Sequence, residues 1–173
     1  TAAGKYSAAA KMATIVALGL SIVDYVYIPK IAALWEQRKL IALQDMIKEA
    51  SRLILIITIP IAFVLFVAGK WLLALFGPAF SASYIPLIIL VSGQVINALT
   101  GMVGGLLMMT GHQKIFFLFY FISFTVQVLL NLILIPVYGI IGAAIGSALA
   151  IVSLNLLAYF YVRRKMKISA AAF

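Results

Sequence analysis

The longest uncharged stretch of the chain constrains its fold more than any other feature. It runs from 115 to 162, and these 48 residues contain no Asp, Glu, Lys or Arg. A helix that crosses a bilayer needs about 20 apolar residues, so the stretch is too long for one crossing and suits two. Pro136 lacks the N–H that a helix interior needs, and Gly139 readily adopts the positive φ of a tight turn. The sequence therefore predicts two antiparallel spans, 115–135 and 140–162, joined by a turn at these two residues.

The composition indicates that lipid is the solvent of this chain. Of its 173 residues, 66% are hydrophobic and 10% are charged, and the mean hydropathy is +1.21. Soluble domains are closer to half apolar and a quarter charged. The net charge of +9 fits basic loops beside anionic lipid headgroups, and no nucleic-acid-binding module is recognisable, so we expect membrane lipids and no nucleic acid as partners. The chain does not begin with Met, and we expect it to be part of a longer membrane protein.

Three further spans precede this pair, so the predicted fold is an all-α membrane bundle of five transmembrane helices. Pro29 is expected to close the first span, and Pro60 to kink the second without ending it. The dipeptide Gly77-Pro78 is expected to mark a loop before the third span. The five predicted spans are 6–28, 53–75, 84–109, 115–135 and 140–162.

One sizeable polar segment, 30–52, separates the first two spans. Within it, Leu40, Leu43, Ile47 and Ala50 recur at helical spacing, and charged residues occupy much of the remaining surface. This pattern is typical of an amphipathic helix. We expect a cytoplasmic linker that either lies flat on the membrane and leads into the second span or is a solvated helix.

The distribution of Lys and Arg predicts the orientation of the spans. One set of loops carries ten basic residues and the other carries three, and the richer side of a membrane protein faces the cytoplasm. The first residues and the turn at Pro136 and Gly139 are therefore expected outside, and a basic tail, 163–173, is expected inside. The ten are Lys30, Arg38, Lys39, Lys48, Arg52, Lys114, Arg163, Arg164, Lys165 and Lys167, and the three are Lys5, Lys11 and Lys70.

Four residues of the first span form a polar stripe. Ser7, Lys11, Thr14 and Tyr25 fall within about 60° of one direction on a helix of 3.6 residues per turn. Two interpretations of Lys11 stay open: it meets an anionic substrate group in a water-filled cavity, or its long side chain reaches the interface. Asp24 lies about 140° round the helix from Lys11, so it is expected to find a helix-end or loop partner in preference to serving as a cation or proton site.

Side-chain amides in the later spans are expected to hold helices together, because such groups usually hydrogen-bond across membrane helices. The patterns Gly101-x-x-x-Gly105 and Gly142-x-x-x-Gly146 favour close helix approach. The sequence shows no acidic pair, metal-ligand cluster or phosphate-binding loop, so we expect no enzyme activity, metal or cofactor. The predicted packing amides are Gln94, Asn97, Gln127, Asn131 and Asn155.

Four stretches, taken together, resemble a known family. They are "GKYSAAAKMATIVALGLSIVDYVYIPKIAAL" (4–34), "ASRLILIITIPIAFVLFVAGKWLLALFGPAFSAS" (50–83), "TGHQK" (110–114) and "NLILIPVYGIIGAAIGSALA" (131–150). In order and spacing they resemble the O-antigen and exopolysaccharide flippases of the multidrug/oligosaccharidyl-lipid/polysaccharide exporter superfamily. No single stretch is specific, whereas the set is.

The resemblance implies that the chain is most of the C-terminal lobe of a two-lobe transporter, with the N-terminal lobe of the same protein as its partner. Such proteins move lipid-linked oligosaccharides across the bacterial inner membrane by alternating access. The first span would line the cavity between the lobes, and the family often carries a basic residue at the position of Lys11. The resemblance thus implies substrate binding by Lys11, with Ser7, Thr14 and Tyr25 beside it.

Three other functions remain as alternatives. The first is a cation-coupled drug exporter of the same superfamily, which would need an ionisable residue deep in a cavity, and the sequence offers little of that kind. The second is a small non-catalytic membrane scaffold subunit. The third is a membrane glycosyltransferase, against which the lack of an acidic catalytic pair weighs.

Overall fold

The chain folds as a bundle of helices. A computed structural model describes residues 2–166 and residue 168, which are almost entirely helical. Within these residues, five helical segments are long and apolar enough to cross a membrane, which confirms the predicted all-α bundle and indicates a multi-pass membrane protein. The α-helices are α1 Ala2–Glu36, α2 Leu40–Ala74, α3 Tyr84–Thr100, α4 Val103–Met109, α5 Gln113–Tyr138 and α6 Ile140–Tyr161, with a 3₁₀ helix at Pro78–Ser83 and a π-helical turn at Val162–Met166.

The first two helices are each 35 residues long and meet at a three-residue turn. The expected end of the first span at Pro29 is wrong, because α1 continues to Glu36. Membrane helices tolerate an internal proline, since their surroundings satisfy the backbone groups that it frees. The turn is tight: the Lys39 N–H donates to the Leu34 carbonyl over 3.0 Å, and Arg38 adopts a φ of 55°.

The polar segment 30–52 is divided by this turn between the end of α1 and the start of α2. The predicted amphipathic pattern is present in α2, where Leu43, Ile47 and Ala50 are fully buried. They belong to a cluster with residues of α1, α4 and α6. The bundle therefore covers the apolar face of this segment. Whether its polar face lies in solvent at the cytoplasmic side stays a prediction.

Two hydrophobic clusters fill the bundle, one toward each end. The basic-end cluster consists of Val23, Tyr27, Ile31, Leu43, Ile47, Ala50, Ile54, Ala98, Met102, Val103, Leu106, Leu107, Ala158, Val162 and Ile168. The opposite-end cluster consists of Ala8, Ala9, Met12, Ala13, Val16, Ala62, Leu65, Leu73, Leu87, Leu90, Val91 and Ala144. Along α1, α3 and α6 the chain passes from the opposite-end cluster to the basic-end cluster, and along α2 it passes the other way. The long helices α1, α2 and α3 therefore alternate in direction.

Basic residues gather at one end of the bundle, as their sequence positions predict. Of the ten expected on one side, nine lie along the chain beside residues of the basic-end cluster, and Lys167 lies outside the described residues. The remaining three, Lys5, Lys11 and Lys70, lie beside the opposite-end cluster. The assignment of the basic end to the cytoplasm stays a prediction from the positive-inside rule.

A glycine breaks the third predicted span. The expected helix over 84–109 is wrong, because α3 ends at Thr100 and α4 begins at Val103. Gly101 adopts a φ of 70° and a ψ of −154°, a backbone conformation that suits glycine and few other residues. The other glycine of that pattern does lie at a close approach, since a Cβ on Gly105 would come within 3.1 Å of Ile28 in α1.

The last two long helices form the predicted antiparallel hairpin. Gly139, with a φ of 56°, is the turn by itself. Pro136 does not end the helix, because α5 continues to Tyr138 and only there reverses into α6. The Gln127 amide donates to the Ser147 hydroxyl over 3.1 Å, which fixes the antiparallel register between the two helices.

Small residues bring the α6 backbone against its neighbours. A Cβ on Gly142 would collide with the Leu134 backbone carbonyl of α5, and a Cβ on Gly93 of α3 would lie 3.1 Å from the Cα of Ala148. The predicted close approach at Gly142 is therefore confirmed, and α6 lies at short distance from both α5 and α3.

The burial of the apolar face of α2 can be tested with two isoleucine-to-alanine substitutions. Ile47→Ala removes a fully buried side chain and should lower the free energy of unfolding by about 2–5 kcal/mol. Ile41→Ala on the same helix is the matched control, because Ile41 is 83% exposed. Thermal unfolding of the purified chain in one detergent measures both. Equal losses would show that the bundle does not cover Ile47.

Close packing in the hairpin predicts an unequal response to two added methyl groups. Gly142→Ala places its methyl group against the α5 backbone, so the helices must separate at a cost of about 1–3 kcal/mol. Gly104→Ala meets only the ring of Phe116, at 3.2 Å, and a side chain can move aside. Denaturation midpoints in a harsh detergent should therefore fall clearly for the first variant and little for the second. An unchanged denaturation midpoint for Gly142→Ala would contradict the close contact between Gly142 and the α5 backbone.

Candidate functional site

Asp24 of α1 is half-buried in the bundle. Asp24 is twelve residues before Glu36, about 18 Å along the helix. Its Oδ1 atom is buried and has no hydrogen-bond partner among the described residues. The expected helix-end or loop partner for Asp24 is therefore wrong, because α1 continues well past this residue.

The Asp24 carboxylate borders a cavity of about 240 Å³, called here the Asp24 cavity. The cavity lies where α1, α3, the α3–α4 break, α5 and α6 meet. Among the described residues that line it, Asp24 alone has an ionisable side chain, and three others have amides. The lining residues are Leu20, Asp24, Gln94, Asn97, Gly101, Met102, Gly104, Gly105, Phe116, Ile151, Leu154 and Asn155.

The amides around the cavity are tied to one another and to the backbone. The Asn97 Nδ2 donates to Gln94 Oε1 over 3.2 Å within α3. The Thr100 hydroxyl donates to Asn155 Oδ1 over 3.3 Å, which joins α3 to α6, and the Asn155 Nδ2 donates to the Ile151 carbonyl over 2.8 Å. Gln94 Oε1 and Asn155 Oδ1 thus each accept one hydrogen bond, which holds these two oxygens in place and leaves each of them a second lone pair.

The local sequence explains why a cavity forms here. Gly101 ends α3 at a turn of positive φ, so the chain leaves the helix axis beside α1. Gly104 and Gly105 then present no side chain to the space that opens. A hole bordered by a carboxylate and amides is polar enough to hold water or a cation.

The predicted polar stripe occupies the other side of α1. Ser7, Lys11, Thr14 and Tyr25 are all exposed, with Tyr25 83% exposed. The Thr14 hydroxyl donates to the Lys11 carbonyl over 2.7 Å, so it is satisfied within its own helix. The stripe is therefore one surface, and the helix separates it from Asp24, as the angular spacing predicts.

The predicted packing amides divide into two groups. Gln127 bonds α5 to α6 and Asn155 bonds α6 to α3, as helix-packing groups do. Gln94 and Asn97 bond only to each other in this network and face the Asp24 cavity. Asn131 lies against Gly146, and its Oδ1 is buried without a partner among the described residues.

Sequence reasoning missed the cavity as a site. The cation-coupled alternative needs an ionisable residue deep in a cavity, and Asp24, which is half-buried, borders one. The available signal was the spacing of Gln94 and Asn97, which places two amides on one face of a helix that ends at a glycine. That signal does not reveal which other helix faces them.

Comparison with protein-family models, with curated proteins and with solved structures gives no match to this chain. The resemblance to polysaccharide flippases therefore stays a prediction that depends on the four stretches quoted above. The bundle, the exposed stripe of α1 and the Asp24 cavity are features of the fold and do not depend on that resemblance.

The hydrogen bond between Gln127 and Ser147 can be weighed with a double-mutant cycle. Gln127→Leu and Ser147→Ala each remove one partner, and the double variant removes both. We expect a coupling energy of about 0.6 kcal/mol in detergent unfolding, which is typical of such bonds between membrane helices. Ser147 also bonds to Tyr6 Oη over 2.9 Å, and the cycle cancels that separate loss. Strict additivity of the two substitutions would mean that this bond does not join the helices.

Proposed function

We propose that this chain is part of a transporter that moves lipid-linked oligosaccharides across the bacterial inner membrane by alternating access. In this proposal it forms most of a C-terminal lobe, and the N-terminal lobe of the same protein is its partner. The observation that carries the proposal is the exposed polar stripe of α1, which centres on Lys11. The resemblance of the sequence supplies the substrate class.

The stripe needs a polar environment. Lys11 lies within a helical segment that is long and apolar enough to cross a membrane. An ammonium group in hydrocarbon is costly, so this face is stable where it meets water or an anion. A path between two lobes provides water along one helix face while the other helix faces stay packed in their lobe.

The chemistry of the substrate fits such a face. A lipid-linked oligosaccharide carries a phosphate or pyrophosphate between its lipid and its sugars, and this head cannot cross hydrocarbon unaided. Lys11 offers a positive charge for the phosphate or for acidic sugars, and Ser7 and Thr14 are hydroxyl-bearing neighbours on the same exposed face. Tyr25 extends that face toward the basic end and offers an exposed ring on which a sugar can stack.

Charge reversal at Lys11 tests the proposal in the full-length protein. Lys11→Glu should lower glycan export by at least about tenfold, since an attractive charge becomes a repulsive one, while membrane insertion stays normal. Lys70→Glu is the matched control, because Lys70 is also exposed near the opposite-end cluster but lies in α2. Export is measured as surface polysaccharide at equal expression.

Two results would contradict the proposal at different levels. Normal export by Lys11→Glu means that Lys11 only anchors α1 at the interface. A strain that lacks the protein, keeps its surface polysaccharide and becomes hypersensitive to drugs means that drug export is the function instead.

A further inference from the structure

We propose that the end of α6 binds the headgroup of one anionic phospholipid, whose acyl chains lie along the exposed apolar face of the same helix. The headgroup ligands are Arg163, Arg164 and Lys165, called here the α6 basic triplet. The composition predicts anionic lipid beside the basic loops in general, whereas this inference assigns one lipid to one place. It does not depend on the transported substrate proposed above, because it concerns a lipid that stays bound to the protein.

The first argument is that the α6 basic triplet is held in place. The three residues lie in the π-helical turn at the end of α6, and all three are exposed. Val162 before them is fully buried, Met166 after them packs against the basic-end cluster, and Ile168 is buried in that cluster. The backbone is thus anchored on both sides of the triplet, so a bound lipid does not have to order a loose tail.

The second argument is the lack of a counter-charge. The four carboxylates of the chain, those of Asp24, Glu36, Asp45 and Glu49, all lie in α1 and α2. The helices α3, α4, α5 and α6 carry no acidic residue. Among the described residues, none of the three cations of the triplet forms an ion pair. A phosphate group from outside the chain would therefore balance charge that the chain leaves unbalanced.

The third argument is the depth of the triplet. The helix α6 has 22 residues between the turn at Gly139 and the triplet, which makes it about 33 Å long. The hydrocarbon core is about 30 Å thick, and the headgroups extend the bilayer to about 40–45 Å. With the Gly139 turn at one surface, the triplet lies in the headgroup layer of the other. Tyr159 and Tyr161, which come just before it, are of a residue type enriched at that level.

The fourth argument is the surface next to the triplet. Leu149, Leu156 and Phe160 recur at helical spacing on one face of α6, and all three are exposed. Arg163 follows Phe160 by three residues, which places it at the end of the same face. This face thus offers a positive charge at headgroup level and apolar side chains at the level of the acyl chains. A soluble anion would contact only the first part, whereas a phospholipid contacts both.

The charge of the triplet selects the kind of headgroup. Phosphatidylcholine carries an ammonium group beside its phosphate, so it has no net charge to offer. Phosphatidylglycerol has a net negative charge, and two guanidinium groups can each hold its phosphate through paired hydrogen bonds. Basic sites at the ends of membrane helices are typical of anionic-lipid recognition.

Thermal unfolding of the full-length protein in a neutral detergent tests this site. Phosphatidylglycerol is titrated into the micelles, and a parallel series uses phosphatidylcholine with the same acyl chains. We expect a saturable rise in Tm of roughly 5 °C with phosphatidylglycerol and none with phosphatidylcholine. Glycerol phosphate, which has the charge but no acyl chains, should give no rise. Mass spectrometry of the intact complex should show a retained phosphatidylglycerol.

The double variant Arg163→Gln/Arg164→Gln removes two headgroup ligands and should fold, because both residues are exposed. Each basic residue near a membrane surface strengthens binding of anionic lipid roughly fivefold, so the half-saturating lipid concentration should rise roughly 25-fold. Arg38→Gln/Lys39→Gln is the matched control, since it removes two exposed cations at the α1–α2 turn and should bind normally.

Two further variants separate charge from structure. Arg163→Lys/Arg164→Lys keeps both charges and should retain most of the rise in Tm. Phe160→Gln leaves the triplet intact and removes an apolar contact with the acyl chains, so it should raise the half-saturating concentration several-fold.

Four outcomes would overturn the inference. An equal rise in Tm with phosphatidylcholine would mean that the headgroup charge plays no part. An equal rise with glycerol phosphate would mean a site for a free anion. A rise that survives Arg163→Gln/Arg164→Gln would place the lipid elsewhere. An equal loss in Arg38→Gln/Lys39→Gln would mean a general attraction to positive charge and no defined site.

Discussion

Backbone contact along α6 is the constraint on which the rest of the bundle depends. Lipid tails are as apolar as the helices themselves, so membrane helices associate through close packing and not through the release of water. α6 meets α3 where Gly93 faces Ala148, and it meets α5 where Gly142 faces Leu134. Since α6 sets both distances, it also decides how far Asn155 lies from α3, and with that the size of the cavity between them.

The constraints of a membrane make the architecture predictable from the sequence, whereas the residues at which the helices end are harder to predict. Hydrocarbon permits few backbone conformations, so hydropathy and glycine chemistry suffice to identify five crossings and the turn at Gly139. Pro29 and Pro136 misled because each interrupts only part of a ladder that the neighbouring residues continue. At Gly101 the error was the reverse. The small-residue pattern suggested a packing position inside a continuous helix, whereas the backbone conformation of Gly101 ends α3.

The candidate site was less predictable than the fold for a physical reason. Helical geometry places Lys11 and Asp24 on different sides of α1 from the sequence alone, and the structure agrees. What surrounds Asp24 depends on contacts between helices that are distant in the chain, and single-sequence patterns do not report those. Gln94 and Asn155 are ordinary packing amides when each helix is considered by itself. They become neighbours of one cavity only when α3 stops at its glycine.

The length of α1 and α2 has a mechanical consequence. At 1.5 Å per residue, a 35-residue helix is about 52 Å long, while the hydrocarbon core is about 30 Å thick. The pair therefore reaches beyond the hydrocarbon as a two-helix rod, held at its basic end by the Tyr27 hydroxyl, which donates to Glu49 over 3.2 Å. A tilt of roughly 10° about one end would move the other by about 9 Å. A small change in tilt about the end that carries Lys11 would therefore produce its largest displacement at the Arg38 tip.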